Sequence, residues 1–172
     1  MNKIIVSAAL VPFVFALIFA SAAFAIHEII PSESVIPEPG PNAEQINAYI
    51  VKYKPYTAWN LWPGKEKLYK GSQPHGELLT TFVNTPAFFS INDKKGMADG
   101  SMIAKEGYSA DKKFLGLFVM YKIKGYNPQA GDWFYARYAP DGKVLAGGRV
   151  EACMQCHEKQ KDNDYLFTGP VK

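Results

Sequence analysis

Cys153 and Cys156 are the only cysteines among 172 residues, and His157 follows the second directly, in the stretch EACMQCHEKQ. Cys-x-x-Cys-His is the attachment pattern of c-type haem, and the chemistry explains the spacing. On one helical turn, two thiols three residues apart can each add across one of the two haem vinyl groups. The adjoining histidine then stands beneath the iron as proximal ligand. The pattern therefore predicts one covalently held haem c per chain, on Cys153 and Cys156, with His157 on the iron. Met154 and Gln155 serve as spacer. Three other readings compete. A disulfide between the two would close a very tight loop and constrain little. A thioredoxin-like pair opens a helix after a strand in a βαβ setting, which this sequence lacks. A zinc site needs two more good ligands, and the only other histidines are His27 and His75.

The start of the chain bears on compartment. Residues 1–25, MNKIIVSAALVPFVFALIFASAAFA, carry Lys3, an apolar core and Ala23-Phe24-Ala25. This predicts a signal peptide cleaved after Ala25, hence an exported protein. The competing reading is a retained membrane anchor, because the apolar run is nearly long enough to span a bilayer. Residues 26–41, IHEIIPSESVIPEPGP, have neither helical nor strand period and predict a linker or surface arm. Residues 42–172 form one domain large enough to own a core. The net charge of +3 is spread out, with no basic run to grip phosphates, which argues against a nucleic-acid partner.

NAEQINAYIVKY (42–53) predicts a helix capped by Asn42, with Ile46, Tyr49, Ile50 and Tyr53 on one face. LLTTFVN (78–84), SMIAKEG (101–107), FLGLFVMYKIKGY (114–126) and DWFYARYA (132–139) predict strands bounded by turn-formers. PAFFSIND predicts a short helix, with Thr85 as cap and Pro86 at its first position. The order implies an α+β fold: an antiparallel sheet with an N-terminal helix and a short C-terminal helix carrying the attachment motif.

Residues 158–172 contain no methionine, so a sixth iron ligand would come from Met97, Met102, Met120 or His75. None is marked by its surroundings, which leaves open a five-coordinate iron with a free face, suited to ligand binding or catalysis. His75, in the turn QPHG, reads either as a distal group or as a loop imidazole bonded to backbone.

The segments WPGKEKLYKG, PHG, FVN, DGSMIAKEG, KGYNPQAGDWFYARY, CMQCH and DYLFTG, in this order, resemble the cytochrome P-460 family and its relative cytochrome c′-beta, from about Tyr53 to Thr168. The resemblance implies an antiparallel sheet carrying one c-type haem, a homodimer, a periplasmic setting and chemistry on small nitrogen compounds. Electrons would pass to an accepting cytochrome. Lys105 matches the lysine that P-460 proteins cross-link to the porphyrin rim. On a strand it shares a face with Ile103, opposite Met102, Ala104 and Glu106; an ordinary surface lysine is the competing reading.

The family's active members imply a distal carboxylate acting as general base. DGKVLAGGRVEA offers Asp141 and Glu151 but no matched acid, and Gly147, Gly148 and Arg149 stand where one is expected. Arg149 faces either the pocket or solvent. The c′-beta branch packs phenylalanine over the iron, for which Phe82 and Phe88 are candidates. Three functions follow: a haem oxidoreductase acting on hydroxylamine or nitric oxide, a non-catalytic nitric oxide binder, or a simple electron carrier.

Overall fold

A computed structural model describes residues 36–172. The signal-peptide segment 1–25 and residues 26–35 of the arm lie outside the described residues. Residues 36–41 have no regular structure and touch the sheet, where Tyr121 Oη donates to Glu38 Oε2 at 3.3 Å.

Helix α1 spans Ala43–Ala48, and Asn42 Oδ1 accepts from the Gln45 N–H at 2.9 Å, satisfying one of the helix's orphan donors. The chain continues as a π-helical turn, Tyr49–Tyr53, closed by the Lys54 N–H donating to the Tyr49 carbonyl at 2.7 Å. Ile46 and Ile50 are fully buried as expected, each contributing about 1.5–3 kcal/mol of apolar burial. Tyr53 does not join them and is 47% exposed, because the wider turn rotates it off the apolar stripe.

The sheet is antiparallel and seven-stranded. Strands β3 (Leu78–Val83), β4 (Met102–Tyr108), β5 (Phe114–Lys122), β6 (Trp133–Tyr138) and β7 (Val144–Gly148) pair consecutively. Two-residue strands β1 (Asn60–Leu61) and β2 (Tyr69–Lys70) both pair with β3. The strand period of two sorts the side chains onto two faces. Phe82, Ala104, Val119 and Ala136 align across the strands and pack with Ile46 and Ile50 of α1. Val83, Ile103, Met120 and Tyr135 align on the opposite face. The next aligned row on that face is Thr81, Lys105, Phe118, Arg137 and Ala146.

Helix α2 (Thr85–Asp93) covers part of this second face through Ala87 and Ile91. Its cap is Asn84, one residue before the expected Thr85. Asn84 Oδ1 accepts from the Ala87 N–H at 3.1 Å and the Met102 N–H at 2.9 Å, while its amide donates to the Gly100 carbonyl at 2.8 Å. An asparagine binds the helix start and strand β4 at once, accepting at its oxygen and donating from its separate amide nitrogen; a threonine has only one hydroxyl oxygen for all three bonds. Helix α3 (Glu151–His157) follows β7 and runs into a 3-10 segment, Glu158–Asn163.

The loop carrying His75 crosses the sheet at Gly107. A Cβ at that position would collide with the His75 carbonyl oxygen and come within 3.2 Å of the Phe118 ring. Gly107→Ala is therefore expected to cost about 1–3 kcal/mol, read as a lowered urea midpoint, since backbone rather than a flexible side chain must move.

Candidate haem site

The motif residues gather at one place. Cys153 and Cys156 are half-buried free thiols, and His157 is buried. Its Nδ1 lies 2.6 Å from the Tyr165 carbonyl oxygen. A carbonyl only accepts, so Nδ1 carries the proton and Nε2 keeps its lone pair. Burial is the largest influence on the ring and lowers its pKa; the Tyr165 bond opposes this and the Lys105 charge adds to it. A neutral imidazole with a fixed tautomer is the form that binds a metal. The ring is wedged against Tyr135 at 5.4 Å and Phe167 at 5.5 Å between centroids.

A cavity of about 260 Å³ opens beside these three residues, over the second sheet face. Ile103, Phe118, Met120, Leu166 and Phe167 make its walls apolar. Lys105, Arg137 and His75 reach it from the sheet and the crossing loop, and no Asp or Glu lines it among the described residues. Burial pushes the Lys105 ammonium down to about 8. His75 is pushed down to about 3, first by burial and then by the Lys105, His157 and Arg137 charges, so its imidazole is neutral. Arg137 lies over the Phe118 ring at 5.4 Å. Tyr135, another wall residue, is 3% exposed and its hydroxyl has no hydrogen-bond partner among the described residues.

Lys105, Cys153, Cys156 and His157, predicted as one site from separate parts of the sequence, thus border a single cavity. Of the four candidate sixth ligands, Met120 and His75 border it. Met102 packs on the α1 face, and Met97 is buried among residues of α2 and the C-terminal segment. Neither Phe82 nor Phe88 lines the cavity: Phe82 points to the α1 face and Phe88 sits on α2. Their places among the walls are taken by Phe118 and Phe167. Arg149 faces outward, donating to the Tyr126 carbonyl and lying 5.1 Å over the Tyr126 ring. Asp141 holds the Lys143 N–H at 3.0 Å and Glu151 accepts from Gln155 at 2.7 Å, both exposed.

DWFYARY reads from sequence either as pocket lining or as sheet packing, without Tyr135 or Arg137 singled out, and the Tyr165 carbonyl is not marked at all; Tyr135 and Arg137 line the cavity. The signal for those two was present: Trp133, Tyr135 and Arg137 alternate with Phe134, Ala136 and Tyr138, so an arginine falls on an otherwise aromatic face.

A model of the cytochrome P460 family matches residues 54–168, a span holding every cavity residue named above. The chain belongs to the cytochrome P460 family. It is accordingly a haem-binding cytochrome, and the resemblance of the order of its motifs to that family is borne out. Helix α1 lies outside the matched span. A comparison with curated proteins returned no match. The residues present fit a haem: a flat apolar ring suits the walls, the free Nε2 suits iron, and the free thiols stand on the same rim.

Proposed function

We propose that this P460-family chain is an exported, periplasmic c-type cytochrome. Cys153 and Cys156 would hold one haem through thioethers, and His157 would ligate its iron. The observation that carries the reading is the convergence of both thiols, the Nε2 lone pair and Lys105 on one apolar cavity. The haem supplies one-electron chemistry, directed at a small nitrogen compound such as hydroxylamine or nitric oxide. Electrons leave to a partner cytochrome, and a second copy of the chain completes a homodimer.

The protein's own contribution is binding and exclusion. Its apolar walls keep bulk water from the ring, Arg137 and Lys105 offer donors to anionic groups, and His75 enters as a neutral imidazole able to donate or accept one hydrogen bond. Lys105 is the residue we assign to a cross-link with the porphyrin rim. A second reading, capture of nitric oxide without turnover, is favoured by one observation: no carboxylate lines the cavity among the described residues to take substrate protons.

Mass spectrometry of the digested, denatured holoprotein tests the attachments. Haem is expected on the peptide holding Cys153 and Cys156 and, through a second bond, on the Lys105 peptide. A haem carried by the cysteine peptide alone removes the Lys105 assignment. Hydroxylamine turnover with an electron acceptor then separates the enzyme from the gas binder.

A further inference from the structure

Asp164 and Tyr165, neither of them glycine, both adopt left-handed backbone, with φ of 54° and 65°. A residue with a Cβ is disfavoured in this conformation and persists there where its surroundings dictate it. The surroundings here are explicit. Lys122 Nζ lies 2.7 Å from Asp164 Oδ1, and both side chains are almost fully buried, at 13% and 5% exposure. The Met97 N–H donates to Asp164 Oδ2 at 2.7 Å, and Trp133 Nε1 donates to the Asp164 carbonyl at 3.0 Å. Lys122 also lies 4.9 Å over the Trp133 ring. The next carbonyl along the chain, that of Tyr165, is the one that accepts from His157 Nδ1 at 2.6 Å.

We infer that the buried Lys122–Asp164 pair is a positioning device for His157: it fixes the turn that aims the Tyr165 carbonyl at Nδ1. The inference rests on His157 being the iron ligand. Among the described residues Asp164 makes no hydrogen bond to His157 and does not line the cavity; it acts through the backbone of its neighbour. A buried ion pair is weak evidence of net stabilisation, but it tolerates few geometries, and here the geometry controlled is a carbonyl direction. A firm bond from Nδ1–H gives the imidazole more anionic character, making it a stronger donor to iron. The reduction potential falls with that donation.

The test uses haem-loaded full-length protein, reading the ferrous iron–histidine stretch by resonance Raman and the midpoint potential by titration. Asp164→Asn is expected to move the stretch to lower frequency and the potential to more positive values. Where the unpaired Lys122 prevents folding, the neutral pair Lys122→Gln/Asp164→Asn keeps size without a lone buried charge and is expected to shift both readings in the same direction. Lys122→Arg, which preserves the pair, is expected to keep the wild-type band. Ile46→Val, on the other face of the sheet, lowers stability without touching the turn and is expected to leave both readings unchanged. A wild-type band and potential in the folded neutral-pair variant overturn the inference. A wild-type protein whose ferrous iron is five-coordinate yet shows no iron–histidine band, or whose haem spectrum is unchanged in His157→Ala, sinks the ligand reading of His157, and this inference with it.

Discussion

Serine at both Cys153 and Cys156 is expected to abolish haem staining on a denaturing gel, in cells that mature c-type cytochromes normally. The loss should be complete. Each thioether forms by adding one thiol S–H across one vinyl double bond, and the weaker hydroxyl nucleophile does not replace it. Single variants are expected to keep a fainter stained band through the remaining thioether. Both thiols border the cavity and are half-buried, so serine changes little volume and the polypeptide should still accumulate. His157→Ala separates attachment from ligation: staining persists, while the iron–histidine band disappears. A fully stained band from the double serine variant sinks the covalent reading.

The separation of attachment from tuning also marks where the sequence was readable. Cys-x-x-Cys-His is local, so spacing and chemistry named three candidate site residues without any fold. Lys105 was named through the family resemblance; the strand period of two only put it beside Ile103, and the sheet places both on the cavity face. Strands β3 to β6 were legible because branched and aromatic runs are bounded by turn-formers. Strand β7, VLAGG, carries two glycines that dilute that signal, and β1 and β2 are too short to have a period.

What fixes His157 was not legible, because it is non-local. Nothing in the string DYLFTG says that Asp164 will meet Lys122 or that Trp133 will hold its carbonyl. Likewise, Phe82 and Phe88 were plausible walls by type alone. Their faces are set by the register of β3 and by the Asn84 cap, one residue earlier than the cap predicted. The N-terminal stripe failed at Tyr53 for a similar reason: a single π-turn changes the phase, and residue type gives no warning of it.

The charge state of Lys105 leads to the second large effect. Burial lowers its pKa from 10.5 to about 8 in the folded protein, while the unfolded chain keeps the ordinary value. The sign follows from which form burial disfavours. Below about pH 8 the folded state holds an ammonium it pays to desolvate; between about 8 and 10.5 the unfolded state binds more protons, so stability rises with pH. A shift of this size corresponds to at most about 3 kcal/mol, and the half-buried position lets water reduce it.

In the haem-free double serine background, Lys105→Met is therefore expected to raise the urea midpoint at pH 7. Its advantage should shrink steadily as the pH approaches 10.5. An advantage that stays constant across that range would show that packing, not charge, sets the difference. The same displacement bears on chemistry: at neutral pH the neutral, nucleophilic amine is more abundant than on a free lysine. The apolar wall favours the uncharged amine by making the charged form expensive. Lys105→Arg, which stays charged throughout, is expected to leave haem attached through the cysteines and to eliminate the Lys105 adduct entirely.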